Sequence, residues 1–177
     1  AAIRDTAAAL PGRLFVVETL GGTTGHLATA VAYAAQADAL CVPEVAFDVQ
    51  EMGRRLAAAV RRQGYGLCVV SEGIGPLSSF CDALAQAAGY RVRLTTLGHA
   101  QRGSAPSCFD LGLARRWGEG MIAALLAGRH GLMACWHGGE PTDVPLEPVV
   151  NAPAKPLDLV TYLAVNRARA IDKGGKL

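Results

Sequence analysis

Leu97-Gly98-His99-Ala100-Gln101-Arg102-Gly103-Ser104-Ala105-Pro106-Ser107-Cys108-Phe109-Asp110 is the stretch on which the reading of this chain turns. Before it, Val92 to Leu97 is an apolar, β-branched run that reads as a buried strand. After it, Leu111-Gly112-Leu113-Ala114-Arg115-Arg116-Trp117 repeats apolar positions at helical spacing. A strand, a glycine-flanked loop and a helix in that order form an α/β unit, and open α/β sheets bind ligands beyond the carboxyl ends of their strands. His99 and Arg102 stand three residues apart in this loop. Arginine offers a fork of donors matched to phosphate oxygens, and the glycines let a ligand come close to the backbone. The stretch points to a phosphorylated small molecule.

Outward from this loop, strands and helices alternate. Strands are expected at Leu14–Leu20, Ala39–Val42, Gly66–Ser71, Val92–Leu97 and Leu132–Trp136. Helices are expected at Thr24–Gln36, Val49–Gln63, Leu77–Ala88, Phe109–Leu126 and Leu157–Ile171. Gly64, Gly89 and Gly128 fall where helices should stop. Runs such as Leu67-Cys68-Val69-Val70 are apolar throughout, which predicts helices on both faces of the sheet. The expected fold is a three-layer α/β/α domain with a mostly parallel, Rossmann-like sheet, and no internal repeat interrupts it. Residues 138–156 carry five prolines and two glycines and read as a surface connection.

Composition supports one folded unit over residues 1–177. Hydrophobic residues make up 51% and charged residues 18%, which excludes a disordered polar chain. Aromatics are only 6%, so the core must be built from Leu, Val, Ile and Ala. A net charge of +2 argues against a nucleic-acid or membrane-surface partner. Cys41, Cys68, Cys81, Cys108 and Cys135 are scattered, which predicts neither a disulfide framework nor a metal site. No stretch reaches membrane-spanning length and no secretory signal is recognisable, so a cytoplasmic setting is expected.

Two further strand ends carry candidate site residues. In Glu18-Thr19-Leu20-Gly21-Gly22-Thr23-Thr24-Gly25 a strand ends at a double glycine before a helix begins. Helix amino termini attract anions and hydroxyl oxygens, and Thr23 or Thr24 would serve as the cap. Glu72 follows Leu67–Ser71, where its carboxylate can accept hydrogen bonds from ligand hydroxyls.

The loop closely resembles the sugar-phosphate loop of the 6-phosphofructokinases, Leu-Gly-His-x-Gln-Arg-Gly-Gly-x-Pro followed by an aromatic residue and Asp, with Ser104 in place of the second glycine. Arg13-Leu14-Phe15-Val16-Val17-Glu18-Thr19-Leu20-Gly21-Gly22 is similar to the family's Arg-x-Phe-Val-Val-Glu-x-Met-Gly-Arg. Val42-Pro43-Glu44, Val69-Val70-Ser71-Glu72-Gly73 and Arg93 also follow in the family's order. The resemblance runs from Ile3 to about Gly128 and covers the C-terminal, sugar-phosphate-binding half of such an enzyme. It implies that His99 and Arg102 bind the phosphate of fructose 6-phosphate and that Glu72, with Gly21 and Gly22, lines the sugar. It further implies that Arg13 and Arg93 serve the site of a neighbouring subunit in a homo-oligomer. Glu44 resembles a residue near the bacterial allosteric nucleotide site.

Two departures qualify that reading. The family's catalytic Met-Gly-Arg turn is Leu20-Gly21-Gly22 here, and a glycine supplies no cation. Similar Gly-Gly turns occur in non-catalytic, effector-binding halves, which commonly lose the arginine that this chain keeps as Arg102. The chain also shows no Gly-Gly-Asp-Gly donor loop and no Thr-Ile-Asp-Asn-Asp catalytic segment. Phosphoryl transfer needs donor phosphates, Mg²⁺ and a base together. ATP or pyrophosphate, with Mg²⁺, is therefore expected to bind outside this chain, on an N-terminal half, and the chain alone is expected to be inactive. The alternatives are a regulatory half binding a phosphosugar effector and an unrelated Rossmann-like domain.

Overall fold

The computed structural model describes residues 2–167. In chain order the elements are α1 (Ala2–Ala9), β1 (Arg13–Thr19), α2 (His26–Ala34), β2 (Ala39–Cys41), α3 (Val49–Gln63), β3 (Tyr65–Ser71), α4 (Leu77–Ala88) and β4 (Arg91–Thr96). There follow α5 (Cys108–Leu126), β5 (Leu132–His137), β6 (Glu140–Pro145), α6 (Leu146–Val150) and α7 (Leu159–Arg167). These group into two compact units, one comprising the residues up to Arg102 together with those from Pro156 onward, the other Gly103–Lys155.

The first unit holds a four-stranded, wholly parallel sheet in the order β2-β3-β1-β4. Because side chains alternate along a strand, Leu14, Val16, Cys68 and Val70 pack on one face with Leu56 of α3 and Leu84 of α4. Phe15, Val17, Leu67 and Val69 pack on the other with Ala28 and Ala32 of α2 and Tyr162 and Val165 of α7. Burial on both faces explains the unbroken apolar runs Leu14–Val17 and Leu67–Val70 in the central strands. α3 and α4 span the residues expected of them. Asp48 accepts the Gln50 N–H at 2.8 Å at the start of α3, and left-handed Gly64 and Gly89 follow the two helices. At the outer edge of β2 the Leu40 N–H donates to Asn166 Oδ1 and Asn166 Nδ2 donates to the Leu40 carbonyl, both at 3.1 Å.

Four expectations are corrected. β4 is not a buried strand: it forms the other edge of the sheet, with Arg91, Arg93, Leu94 and Thr96 exposed. Only Val92 packs against the α3–α4 cluster, and charged side chains alternate along the run. β5 does not join the parallel sheet, because Gly138 and Gly139, with φ of +62° and +89°, turn it straight back into β6. Residues 138–156 are accordingly not a bare connection but contain β6 and α6; Pro141 and Pro145 are tolerated because β6 pairs on one side only. α1 was not expected, and α2 begins two residues later than Thr24. The expected helix Leu157–Ile171 is seen as α7, and its end lies outside the described residues.

In the second unit α5 opens on a capping box: the Asp110 N–H donates to Ser107 Oγ at 3.2 Å and the Ser107 N–H donates to Asp110 Oδ2 at 3.0 Å. Trp117 Nε1 donates to the Cys135 carbonyl at 2.9 Å, tying α5 to β5. None of the described helices is long and apolar enough to cross a membrane.

Candidate functional site

All four strands of the first unit are parallel, so their carboxyl ends share one edge. Thr19 pairs with Ser71 and Glu18 with Thr96, which places the turn after β1, Glu72 and the loop after β4 side by side. Glu72 begins a short 3-10 turn, Glu72–Ile74, and Gly98–Arg102 forms another. Residues three apart eclipse in such a turn, so His99 and Arg102, both exposed, lie on the same face. Gly21, Gly22, Glu72, His99 and Arg102 are thereby brought to one edge.

Hydrogen bonds lock these loops together. Glu72 Oε1 accepts the N–H of Gly21 at 3.0 Å and that of Gly22 at 2.5 Å. The Leu20 N–H donates to Gln101 Oε1 at 3.3 Å, so the loop bearing His99 and Arg102 is fastened to the turn after β1. Buried Ser71 donates to the Thr24 carbonyl at 3.0 Å, and Thr24 Oγ1 donates to the Gly21 carbonyl at 3.1 Å. A Cβ on Gly21 would stand 2.5 Å from the Thr24 carbonyl oxygen, and Gly22 has φ +56°, so each position requires glycine.

The amide bonds from Gly22 and Gly21 hold the Glu72 carboxyl below the ordinary range, and the positive charge of Arg102 adds to the effect.

The expectation that Thr23 or Thr24 caps the helix after this turn is corrected. The N-cap of α2 is Gly25, with no side-chain cap from Thr23 or Thr24; its N–H donates to Glu44 Oε1 at 2.8 Å. Carboxylates of Glu44 and Glu72 thus occupy the amides that were expected to face a ligand. They come from loops 19 and about 50 residues away, a partnership that local capping patterns do not reveal. Gln101 and Ser71 are site-shaping residues that were likewise not singled out, although Gln101 sits inside the decisive motif.

Arg13 and Arg93 are not brought into this cluster. Arg13 opens β1 at the opposite edge, about 20 Å away along a seven-residue strand, and Arg93 lies mid-strand opposite Phe15. Among the described residues no three or more His, Cys, Asp and Glu side chains are grouped so that they could hold a metal ion.

Comparison with known proteins agrees with the geometry. A family model described as Phosphofructokinase matches residues 1–125. The ATP-dependent 6-phosphofructokinase of Brevibacillus brevis is 34% identical over 161 residues, 90% of this chain and 50% of that protein. The structure of phosphofructokinase from Saccharomyces cerevisiae matches with a TM-score of 0.71 and 27% identity, over 84% of this chain and 21% of that one. A pyrophosphate-dependent phosphofructokinase from Marinobacter aquaeolei shares the fold at a TM-score of 0.71 and 22% identity, over 85% of this chain and 43% of that one. The chain spans about half the length of the curated relatives it matches. The family match over most of its length, joined to a parallel sheet with the decisive loop at its carboxyl edge, means that this chain belongs to the phosphofructokinase family.

Proposed function

We propose that residues 1–177 form the sugar-phosphate-binding lobe of a 6-phosphofructokinase, holding fructose 6-phosphate while its 1-hydroxyl receives a phosphoryl group. The observation that carries this reading is the convergence of three strand ends that brings the turn after β1, Glu72 and the loop with His99 and Arg102 to one edge of the sheet. His99 and Arg102 bind the sugar phosphate, Arg102 through charge-assisted hydrogen bonds. Glu72 accepts from sugar hydroxyls, and Gly21 and Gly22 let the ring approach the backbone. Arg13 and Arg93, exposed or half-exposed and remote from this cluster, serve the site of a neighbouring copy, which makes the working protein an oligomer. The phosphate donor, ATP or pyrophosphate, and Mg²⁺ bind on a partner lobe, and no catalytic step falls to this chain's residues alone.

A second reading, a regulatory half that binds a phosphosugar without turnover, is favoured by Gly22, which provides no cation at the reacting end. Titration calorimetry on wild type and Arg102→Ala tests the first requirement of both. One charge-assisted hydrogen bond is worth roughly 1.5–3 kcal/mol, so fructose 6-phosphate affinity should fall by about one to two decades while binding of unphosphorylated fructose is unchanged. Equal losses for both sugars would overturn the phosphate role. Adding a separately produced N-terminal lobe with donor then divides the readings: turnover supports the catalytic lobe, and tight binding without turnover supports the regulatory one.

A further inference from the structure

Along α2, His26, Thr29, Ala30 and Tyr33 recur at helical spacing and form one stripe, beside the stripe of Ala28 and Ala32 that packs on the sheet. That stripe, with Asp158 and Thr161 at the start of α7, lines a cavity of about 300 Å³. Its lining is polar where a seam between two helices is ordinarily apolar. Thr29 is 3% exposed, and among the described residues nothing hydrogen-bonds its hydroxyl. A buried hydroxyl without a partner costs stability that Ala or Val at the same position would not. The Asp158 carboxylate accepts the Thr161 N–H at 3.0 Å and the Thr161 hydroxyl at 2.6 Å. These bonds fix both side chains and leave the Thr161 oxygen with lone pairs to accept from a ligand. Tyr33, 60% exposed, adds an aromatic ring to the lining.

We propose that this cavity binds a small, uncharged, hydroxyl-rich molecule of about the size of one sugar ring, with Thr29 as its buried hydrogen-bonding anchor. Volume sets the size, because about 300 Å³ lies at the lower end of ligand pockets. Charge sets the class. Among the described residues no lysine or arginine lines the cavity, and the Asp158 carboxylate stands in its wall, so an anion would meet repulsion there and no fixed cation. A ligand hydroxyl both donates and accepts, so it can donate to Asp158 or Thr161 and pair with Thr29 in either sense. The apolar face of a ring packs against the body of Tyr33. The site shares no residue with the cluster at the strand edge and selects against the charge that cluster is suited to hold. It therefore stands or falls independently of the sugar-phosphate reading.

The test follows the Ala30 and Thr161 amide resonances of the full chain during titration with D-glucose, with glycerol and with inorganic phosphate. Wild type is compared with Thr29→Val, Thr29→Ser and Tyr33→Ala. Valine keeps the shape of threonine without the hydroxyl, and serine keeps the hydroxyl. Glucose or glycerol should move both resonances in wild type and in Thr29→Ser, whereas Thr29→Val should need roughly tenfold more of the same probe. Inorganic phosphate should move neither resonance. Tyr33→Ala, at an exposed position, should also raise the midpoint, and it reads the same site if Thr29→Val does not fold. Resonances that stay fixed with both neutral probes overturn the proposal. So do equal midpoints in wild type and Thr29→Val (or in wild type and Tyr33→Ala, if Thr29→Val does not fold), and so does a response to phosphate. The Gly98 and Arg102 resonances report the strand edge separately, so failure at one site is distinguishable from failure at the other.

Discussion

The two units of this chain solve the burial problem in opposite ways. In the first, helices cover both faces of the sheet, and Leu14, Val16, Leu40, Leu56 and Leu84 are fully buried. In the second, Ala124 is the one buried residue of a 19-residue helix, while Phe109, Leu111, Ile122, Leu125, Leu126, Trp136 and Val150 remain exposed. Exposed apolar side chains in this number leave the second unit with less burial of its own than the first. The first unit can therefore position a site unaided, whereas the second is held by local devices: a capping box, a two-glycine hairpin and the Trp117 indole. The candidate site residues all belong to the self-sufficient unit, which is where preorganisation is available.

The largest expected effect comes from emptying the core of the first unit. Leu56→Ala removes a fully buried side chain between α3 and the sheet and should lower stability by about 2–5 kcal/mol in urea denaturation. Leu125→Ala, at a side chain 57% exposed, should change it by no more than about 0.5 kcal/mol. Comparable losses at the two positions would erase the contrast between the units.

A smaller effect is expected from the local devices. Ser107→Ala deletes the acceptor for the Asp110 amide and should cost about 1 kcal/mol. The loss should appear as faster amide exchange in the first turn of α5, with β1 and β3 unaffected. Spread of that loss into the parallel sheet would show that the two units share one cooperative transition.

The smallest effect is a pH dependence. Hydrogen bonds from the Ser107 side chain and backbone hold Asp110 below its ordinary value, and the Gly22 and Gly21 amides do the same for Glu72. A carboxylate with a depressed folded-state pKa stabilises the fold above its unfolded value and loses that contribution as pH falls through the folded one. The stability gap between wild type and Asp110→Asn should therefore be present at neutral pH and close in the acid range below about pH 4. A gap that is constant with pH would mean that the carboxylate charge contributes nothing to the cap.

What was legible in the sequence follows the range of the interactions. α3 and α4 could be delimited to the residue because their limits depend on neighbours: Asp48 and Gly64 for one, Pro76 and Gly89 for the other. The capping box was also written locally, as Ser107-Cys108-Phe109-Asp110, but was not read, and the expected helix starts at Phe109, one residue late. β4 was misjudged because exposure depends on whether a further strand pairs beside it, which its own residues do not encode. The order of site residues along the chain was readable from strand ends alone. That Glu72 and Glu44 close the amides of the Gly21–Gly25 turn was not, because those bonds join loops that only the finished sheet brings together.

The side-chain clasp of Asn166 on Leu40 has a consequence for how the chain is made. Its two partners are 126 residues apart, and β2 is an outer strand whose free N–H and C=O the amide covers. During synthesis β2, β3, β1 and β4 are all available well before Asn166 emerges, so the sheet waits with its β2 rim bare in addition to the exposed β4 edge. Until the clasp closes, that rim offers unpaired backbone groups to other chains, and a chain ended short of Asn166 would keep it open.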